Sequence, residues 1–171
     1  MTISESDMEF GPFAVNDILQ IETCKSYKSI QQGVAIAEFI LSRPTRKSPH
    51  ALWVVEAKSS SPRPQTQPQF DSFIQDICEK FINSMHLFLA GVLERNTQMH
   101  DEIPPGMSDI TAANADFKFI LVIKGHKDDW LDPLKDALNH HLDPLIKTWK
   151  LNPSCVVVMN DTMARQRQLI S

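Results

Sequence analysis

Short apolar runs alternate along the chain with two long segments in which apolar residues recur every three or four positions. The short runs are rich in β-branched and aromatic residues, which predicts strands, whereas the long segments have the spacing of amphipathic helices. The predicted strands are Ile18–Tyr27, Val34–Leu41, Leu52–Lys58, Phe117–Ile123 and Cys155–Met159.

The first long segment, Gln69–Arg95, predicts a helix whose second half is deeply buried, because apolar residues there occupy nearly every position. In the second segment, Asp132 and Pro133 are typical of an N-cap and a first helical position. Pro144 predicts that this helix kinks or restarts. A short terminal helix is predicted after Asn160, which is a good capping residue.

The element order β-β-β-α-β-α-β-α predicts an α/β fold in which a mixed β-sheet is flanked by helices. A length of 171 residues suits a single domain spanning 1–171. The connection Ser42–His50 predicts an antiparallel hairpin between the second and third strands. Residues 1–16 show little periodicity and are expected to be loosely ordered, and Asn96–Asp116 is expected to be a long polar loop.

Composition narrows the class of protein. Hydrophobic residues make up 42% of the chain and charged residues 22%, as in an ordinary globular protein. The net charge of -4 weighs against an autonomous nucleic-acid binder. Residues 18–64, however, hold seven Lys and Arg against three acidic residues. A Gly-rich phosphate loop is absent, which argues against a nucleotide-hydrolysing or dinucleotide enzyme.

Cys24, Cys78 and Cys155 are widely spaced and odd in number, so neither a zinc site nor a disulfide framework is indicated. We expect each to pack as a small apolar residue in a reducing compartment. The N-terminus is polar and acidic, unlike a signal peptide, and no apolar run approaches the ~20 residues of a membrane span. A cytoplasmic location without a membrane partner is therefore expected.

The third predicted strand carries the candidate chemistry, because its apolar run leads directly into Glu56 and Lys58. Strand side chains alternate with period two, so these two charged groups share a face. Glu38 interrupts the preceding strand, and the hairpin would bring it close to Glu56. Two carboxylates in a partly buried pocket repel each other unless a cation lies between them, and hard oxygen ligands suit Mg²⁺ or Mn²⁺. The backbone carbonyl of Ala57 is a further candidate ligand.

A strand with an acidic residue, a strand ending in Glu-x-Lys, a long helix and a further strand resemble the PD-(D/E)xK nuclease superfamily, from about Ile18 to Lys124. Residues 56–58 match its (D/E)xK element. Glu38 stands where the family normally has Asp, and Ala37 stands where Pro often precedes that acid. The resemblance implies a restriction-endonuclease-like fold and a metal-dependent nuclease. Glu38 and Glu56 would be its catalytic metal ligands, and Lys58 would assist phosphodiester hydrolysis.

The resemblance implies further roles around this centre. Glu22 is the candidate for an accessory acid, and Gln69 or Gln75 for a polar group from the following helix. DNA is favoured over RNA as the substrate, and a protein partner or a homodimer is expected to supply specificity within a DNA-processing or defence complex. The basic residues expected to bind phosphates are Arg43, Arg46, Lys47 and Arg63.

Other interpretations of the same residues remain open. Glu38, Glu56 and Lys58 are also consistent with a buried ion-pair cluster without a metal, since buried charges need partners. Glu22 is also consistent with a solvated strand residue. The alternative function is a non-catalytic interaction subunit that keeps the nuclease-like fold.

Overall fold

A mixed five-stranded sheet forms the centre of the structure, a computed structural model that describes residues 1–171. The strands are β1 (Ile3–Glu5), β2 (Met8–Phe10), β3 (Ile18–Leu19), β4 (Phe39–Ser42), β5 (Ala51–Lys58), β6 (Asp116–Ile123) and β7 (Val156–Asn160). The helices are α1 (Lys25–Lys28), α2 (Gln69–Val92), α3 (Thr97–Glu102), α4 (Leu131–Trp149) and α5 (Asp161–Gln166). Short 3₁₀ turns occupy Val15–Asp17, Ile21–Thr23, Pro105–Met107 and Asp128–Trp130.

The sheet has the strand order β3-β4-β5-β6-β7. Strands β3, β4 and β5 are antiparallel neighbours, and the β4–β5 hairpin places Leu41 opposite Trp53. Strands β5, β6 and β7 run parallel, connected through α2 and then α4. The predicted α/β class, the mixed sheet and the antiparallel hairpin are confirmed.

The two faces of the sheet are covered by different elements. Leu52 and Val54 of β5 pack with residues of α2 and α4 in the larger core cluster. Trp53 and Val55 pack with the β1–β2 hairpin and α5 in the smaller one. Both faces of β5 are therefore buried, which explains why its sequence is a continuous apolar run.

Both long helices occur where the spacing predicts them. Helix α2 begins at Gln69 as predicted and ends at Val92 rather than Arg95. Helix α4 runs without a break from Leu131 to Trp149, so it does not restart at Pro144, and Asp132 lies in its first turn rather than at the expected N-cap. Pro144 lies on the exposed side of the helix, where solvent can satisfy the backbone carbonyl that loses its partner.

The first two predicted strands are longer than those in the structure. Only Ile18 and Leu19 of the first belong to the sheet, and the chain then turns into α1. The second predicted strand begins its pairing at Phe39. Before it, Ala37 donates its N–H to Ser84 Oγ at 2.8 Å, and the Ala35 carbonyl accepts a hydrogen bond from α2. Side chains of α2 thus replace a strand partner for this buried segment.

The N-terminal segment forms the β1–β2 hairpin, contrary to the expectation that residues 1–16 are loosely ordered. Ile3, Met8 and Phe10 are buried against the sheet, and the Phe10 ring lies edge-on to that of Phe39, with centroids 5.4 Å apart. Tertiary burial holds a segment whose short strands have little periodicity of their own.

The remaining predictions are met in part. The segment expected to be a long polar loop contains α3, which is capped by the Asn96 side chain. Asn160 caps α5 as predicted, accepting from the Met163 N–H at 2.9 Å. All three cysteines are buried and unpaired. None of the helices combines the length and apolar character needed to cross a membrane.

Candidate functional site

Glu38 and Glu56 lie side by side at one end of the β4–β5 hairpin. Phe39 is paired with Val55, and the Glu38 N–H donates to the Val55 carbonyl at 3.1 Å. Lys80 Nζ lies 2.7 Å from Glu56 Oε1 and 4.0 Å from Glu38 Oε1, so the two carboxylates are close together. The period of two puts both side chains, and that of Lys58, on the face covered by α2. The predicted trio Glu38, Glu56 and Lys58 is therefore brought together.

Glu56 is completely buried and carries two ion pairs on one oxygen. Its Oε1 lies 2.6 Å from Lys58 Nζ and 2.7 Å from Lys80 Nζ. Its Oε2 is buried without a hydrogen-bond partner. A buried carboxylate oxygen without a partner costs free energy, so half of this carboxylate is unsatisfied by the chain's own side chains.

Lys80 is the site residue that the sequence analysis missed. It lies on α2 one turn after Ile77 and one turn before Ser84, both buried, so its stem is on the core side of the helix. Lys80 could have been found from the sequence as a charged residue within the apolar stripe of the predicted helix. Burial lowers the Lys80 pKa, but the charges of Glu56 and Glu38 and the hydrogen bond to Glu56 outweigh it, and the net pKa is raised.

The two glutamines predicted to supply a polar group from the helix after β5, Gln69 and Gln75, lie away from the carboxylates. Gln69 is exposed at the start of α2, eleven residues before Lys80, which is about 16 Å along a helix at roughly 1.5 Å per residue. Gln75 is exposed and lines a groove shared with His141 of α4. The structure does not bring either to the carboxylates.

Glu38 is nearly buried, with 8% of its surface exposed, and its nearest cation is Lys80 Nζ at 4.0 Å. Burial raises the pKa of Glu38 to about 8, reinforced by the negative charges of Glu56, Glu22 and Glu5 and opposed by Lys80. The protonated form is therefore favoured at neutral pH when no cation is bound.

Two more carboxylates complete the cluster. Glu22, the predicted accessory acid, projects from the 3₁₀ turn after β3, and Glu5 projects from the end of β1. Carboxylate oxygens of Glu5, Glu22 and Glu38 all lie within 4.8 Å of one another. Glu5 was not predicted, because nothing local to the N-terminal sequence shows that a hairpin folds over this site.

The Ala57 carbonyl, the predicted backbone ligand, accepts a hydrogen bond from Ser6 Oγ at 3.0 Å. A carbonyl oxygen has two lone pairs, so one remains for a second partner.

Three of the four predicted phosphate-binding residues lie away from this site. Arg43 donates to the backbone carbonyls of Arg167 and Gln168, at 2.8 and 3.2 Å. Arg46 and Lys47 are exposed at the hairpin tip, whereas Glu56 lies near the other end of β5. Five residues separate Ala51 from Glu56, about 17 Å at roughly 3.3 Å per residue. The expectation that this loop flanks the carboxylates is not met.

Arg63, the fourth, lies in the loop that follows β5. Its guanidinium carbon is 3.3 Å from the centre of the Trp130 ring, and Lys127 Nζ is 5.3 Å from the same ring. The loops after β5 and β6 also meet where Ser61 Oγ lies 2.8 Å from His126 Nε2. Burial, together with the charge of Arg63, lowers the pKa of His126. Arg63 and Lys127 thus lie at the carboxyl edge of the parallel strands, where Lys58 ends β5.

Comparisons with protein-family models, curated proteins and solved structures find no match to this chain.

Proposed function

We propose that the protein is a metal-dependent nuclease with a restriction-endonuclease-like core. The observation that carries the proposal is Glu56, whose buried Oε2 has no partner while Glu38 lies close by and Lys58 follows on the same face. The β4–β5 hairpin, the long α2 and the parallel β6 follow one another in the order that the resemblance implies, which supports the proposal.

The donor set suits a hard divalent cation. Four carboxylates and two lysine ammonium groups meet here, so with all of them ionised the cluster has two negative charges in excess. Glu38, Glu56 and the Ala57 carbonyl would hold Mg²⁺ or Mn²⁺, with Glu22 beside them. A bound ion of this type supplies an activated water and stabilises charge on the phosphodiester oxygens.

The two lysines have different roles in this proposal. Lys58 has 32% of its side chain exposed, so its ammonium group can reach both Glu56 and a substrate phosphate. There it would stabilise the negative charge that grows during hydrolysis. Lys80 approaches from α2, and its ion pair orients Glu56.

The test is a cleavage assay with single- and double-stranded DNA and RNA in Mg²⁺ or Mn²⁺. We expect cleavage by the wild type, with DNA preferred, and a loss of at least about 100-fold in Lys58→Met, since removing one group that stabilises transition-state charge costs about that much. Lys147→Met is the matched control, because Lys147 is exposed near the end of α4 and pairs only with Asp143. Cleavage that persists in Lys58→Met at the wild-type rate would assign the activity to another site or a contaminant.

A second candidate is a non-catalytic subunit on the same scaffold. It is favoured by the two lysines that already pair with Glu56 and by the raised pKa of Glu38, which together balance much of the charge without a cation. Calorimetric titration of the wild type with Mn²⁺ distinguishes the two functions. Absence of both Mn²⁺ binding and cleavage would support the subunit, which would dock to a partner protein or a second copy.

A further inference from the structure

The turn of the N-terminal hairpin lies on the Glu-x-Lys segment. Ser6, in this turn, donates its hydroxyl to the Ala57 carbonyl, and Asp7 lies 3.8 Å from Lys124 Nζ at the end of β6. The base of the hairpin is held as well, because the Gly11 N–H donates to the Leu169 carbonyl at 2.9 Å. With Phe10 wholly buried, the hairpin has a fixed position relative to the site.

This position brings Glu5 to Glu22 and Glu38. The three carboxylates come from separate elements, namely β1, the 3₁₀ turn after β3 and the residue before β4. Carboxylate oxygens bound to one Mg²⁺ at about 2.1 Å are at most about 4.2 Å apart. The observed oxygens lie up to 4.8 Å apart, so they would have to approach one another by less than about 1 Å to bind one ion. Without a cation, repulsion between the like charges opposes this approach.

An independent observation indicates a ligand here. The Glu56 side chain has no exposed surface, and its Oε2 has no partner from any element packed around it. Lys80 Nζ lies 2.7 Å from Glu56 Oε1 and 4.0 Å from Glu38 Oε1, so the unsatisfied oxygen belongs to a carboxylate that lies next to this group. Lys58 and Lys80 both contact Oε1, so the chain leaves Oε2 without a cation of its own.

We propose that the N-terminal hairpin supplies Glu5 as a further ligand of the divalent cation, completing a donor set with Glu22 and Glu38. This inference rests on the proposed metal-dependent function and adds a residue to its site. The hairpin would then contribute directly to the metal site, and the hydrogen bond from its Ser6 hydroxyl to the Ala57 carbonyl would hold the turn in place.

The test is calorimetric titration of the full chain with Mn²⁺, comparing the wild type, Glu5→Gln and Glu9→Gln. Glu9 is the matched control, since it is exposed on β2, one strand across the same hairpin. We expect Glu5→Gln to weaken Mn²⁺ binding by at least about tenfold and Glu9→Gln to leave it within about twofold of the wild type.

Thermal unfolding separates loss of a ligand from loss of the fold. In the metal-free protein, Glu5→Gln should melt at or above the wild-type temperature, because it relieves repulsion between carboxylates, and Mn²⁺ should raise its melting temperature less than that of the wild type. If Glu5→Gln binds Mn²⁺ with the same affinity as the wild type, the proposed role of Glu5 is overturned, whereas the metal site itself is not. Absence of Mn²⁺ binding in the wild type would overturn the proposed metal site together with it.

Discussion

Glu38 is the residue on which the electrostatics of the site depend most. Its carboxyl group is almost buried, three other carboxylates raise its pKa, and its nearest cation is 4.0 Å away. A folded-state pKa of about 8, against an ordinary value of 4.5, means that the metal-free folded protein holds a proton that the unfolded chain releases. Because the folded state binds more protons between these values, stability falls as the pH rises through this range.

Glu38→Gln should remove this pH dependence. At pH 5 the folded Glu38 is already neutral, so the variant and the wild type should have similar free energies of unfolding. At pH 9 the variant should be more stable by several kcal/mol, since no charge has to be buried and a pKa raised from 4.5 to about 8 corresponds to about 5 kcal/mol at roughly 1.4 kcal/mol per unit. Urea unfolding in the presence of EDTA measures both values. Glu79→Gln, an exposed glutamate on α2, is the control, and an equal effect of Glu38→Gln at both pH values would contradict the assignment.

Site residues that belong to one strand or to the hairpin were predictable from the sequence, whereas those from distant elements were not. Glu56 and Lys58 are two apart in one strand, and Glu38 directly precedes the strand paired with it, so period and hairpin together predict that they meet. Glu5 and Lys80 come from the N-terminal hairpin and the crossover helix. Their approach depends on tertiary packing, which no local pattern contains.

At the scale of elements, the long helices and central strands were predictable because their periodicity and burial agree. The end of α2, at Val92 rather than at the predicted Arg95, depends on its contact with α3. Gly91 is buried in its last turn, and His100 Nδ1 of α3 lies 3.1 Å from the Gly91 carbonyl. A Cβ on Gly91 would lie 2.7 Å from Met99 Cγ and 3.1 Å from the His100 backbone nitrogen. This glycine therefore permits α3 to pack closely against α2.

Gly91→Ala should destabilise the protein by about 1 kcal/mol. Alanine gains about 1 kcal/mol in helix propensity, but the overpacking against α3 costs about 1–3 kcal/mol. Urea unfolding measures the change. In a Met99→Ala background, which removes the nearest side-chain contact, the same substitution should cost less. An unchanged or increased stability of Gly91→Ala alone would contradict the close packing of α2 and α3.

The short elements were the least predictable. The segment before Phe39 is apolar and β-branched, yet Ser84 accepts a hydrogen bond from it and Asn83 donates one to it in place of a neighbouring strand. In α1, the N–H groups of Lys25 and Ser26 donate to the carboxylate of Glu102 on α3. These partners are 47 or more residues away in sequence, so the local pattern could not distinguish a strand from an irregular buried segment.

On the scale of the whole molecule, the basic side chains nearest the site lie at the carboxyl edge of the parallel strands. Ligands of open α/β sheets bind outside the carboxyl ends of the strands, because the loops that follow converge there. Lys58 ends β5 on this side, and Arg63 and Lys127 lie in the loops that follow β5 and β6. Two of the nearby carboxylates already have partners, since Asp128 accepts from Asn160 and Asp161 pairs with Arg165.

For the proposed nuclease, this arrangement predicts that nucleic acid would contact the carboxyl edge rather than the hairpin tip that carries Arg46 and Lys47. Arg63→Ala and Lys127→Ala should each weaken binding of a fluorescent oligonucleotide in EDTA, where cleavage cannot proceed. Each lost phosphate contact should also reduce the slope of log K against log salt by about 0.7–0.9. Fluorescence anisotropy at several salt concentrations measures both effects, with Lys147→Ala as the control. Weakened binding in Arg46→Ala and Lys47→Ala, with Arg63→Ala unchanged, would instead place the nucleic acid at the tip, about 17 Å of strand away from Glu56 at roughly 3.3 Å per residue.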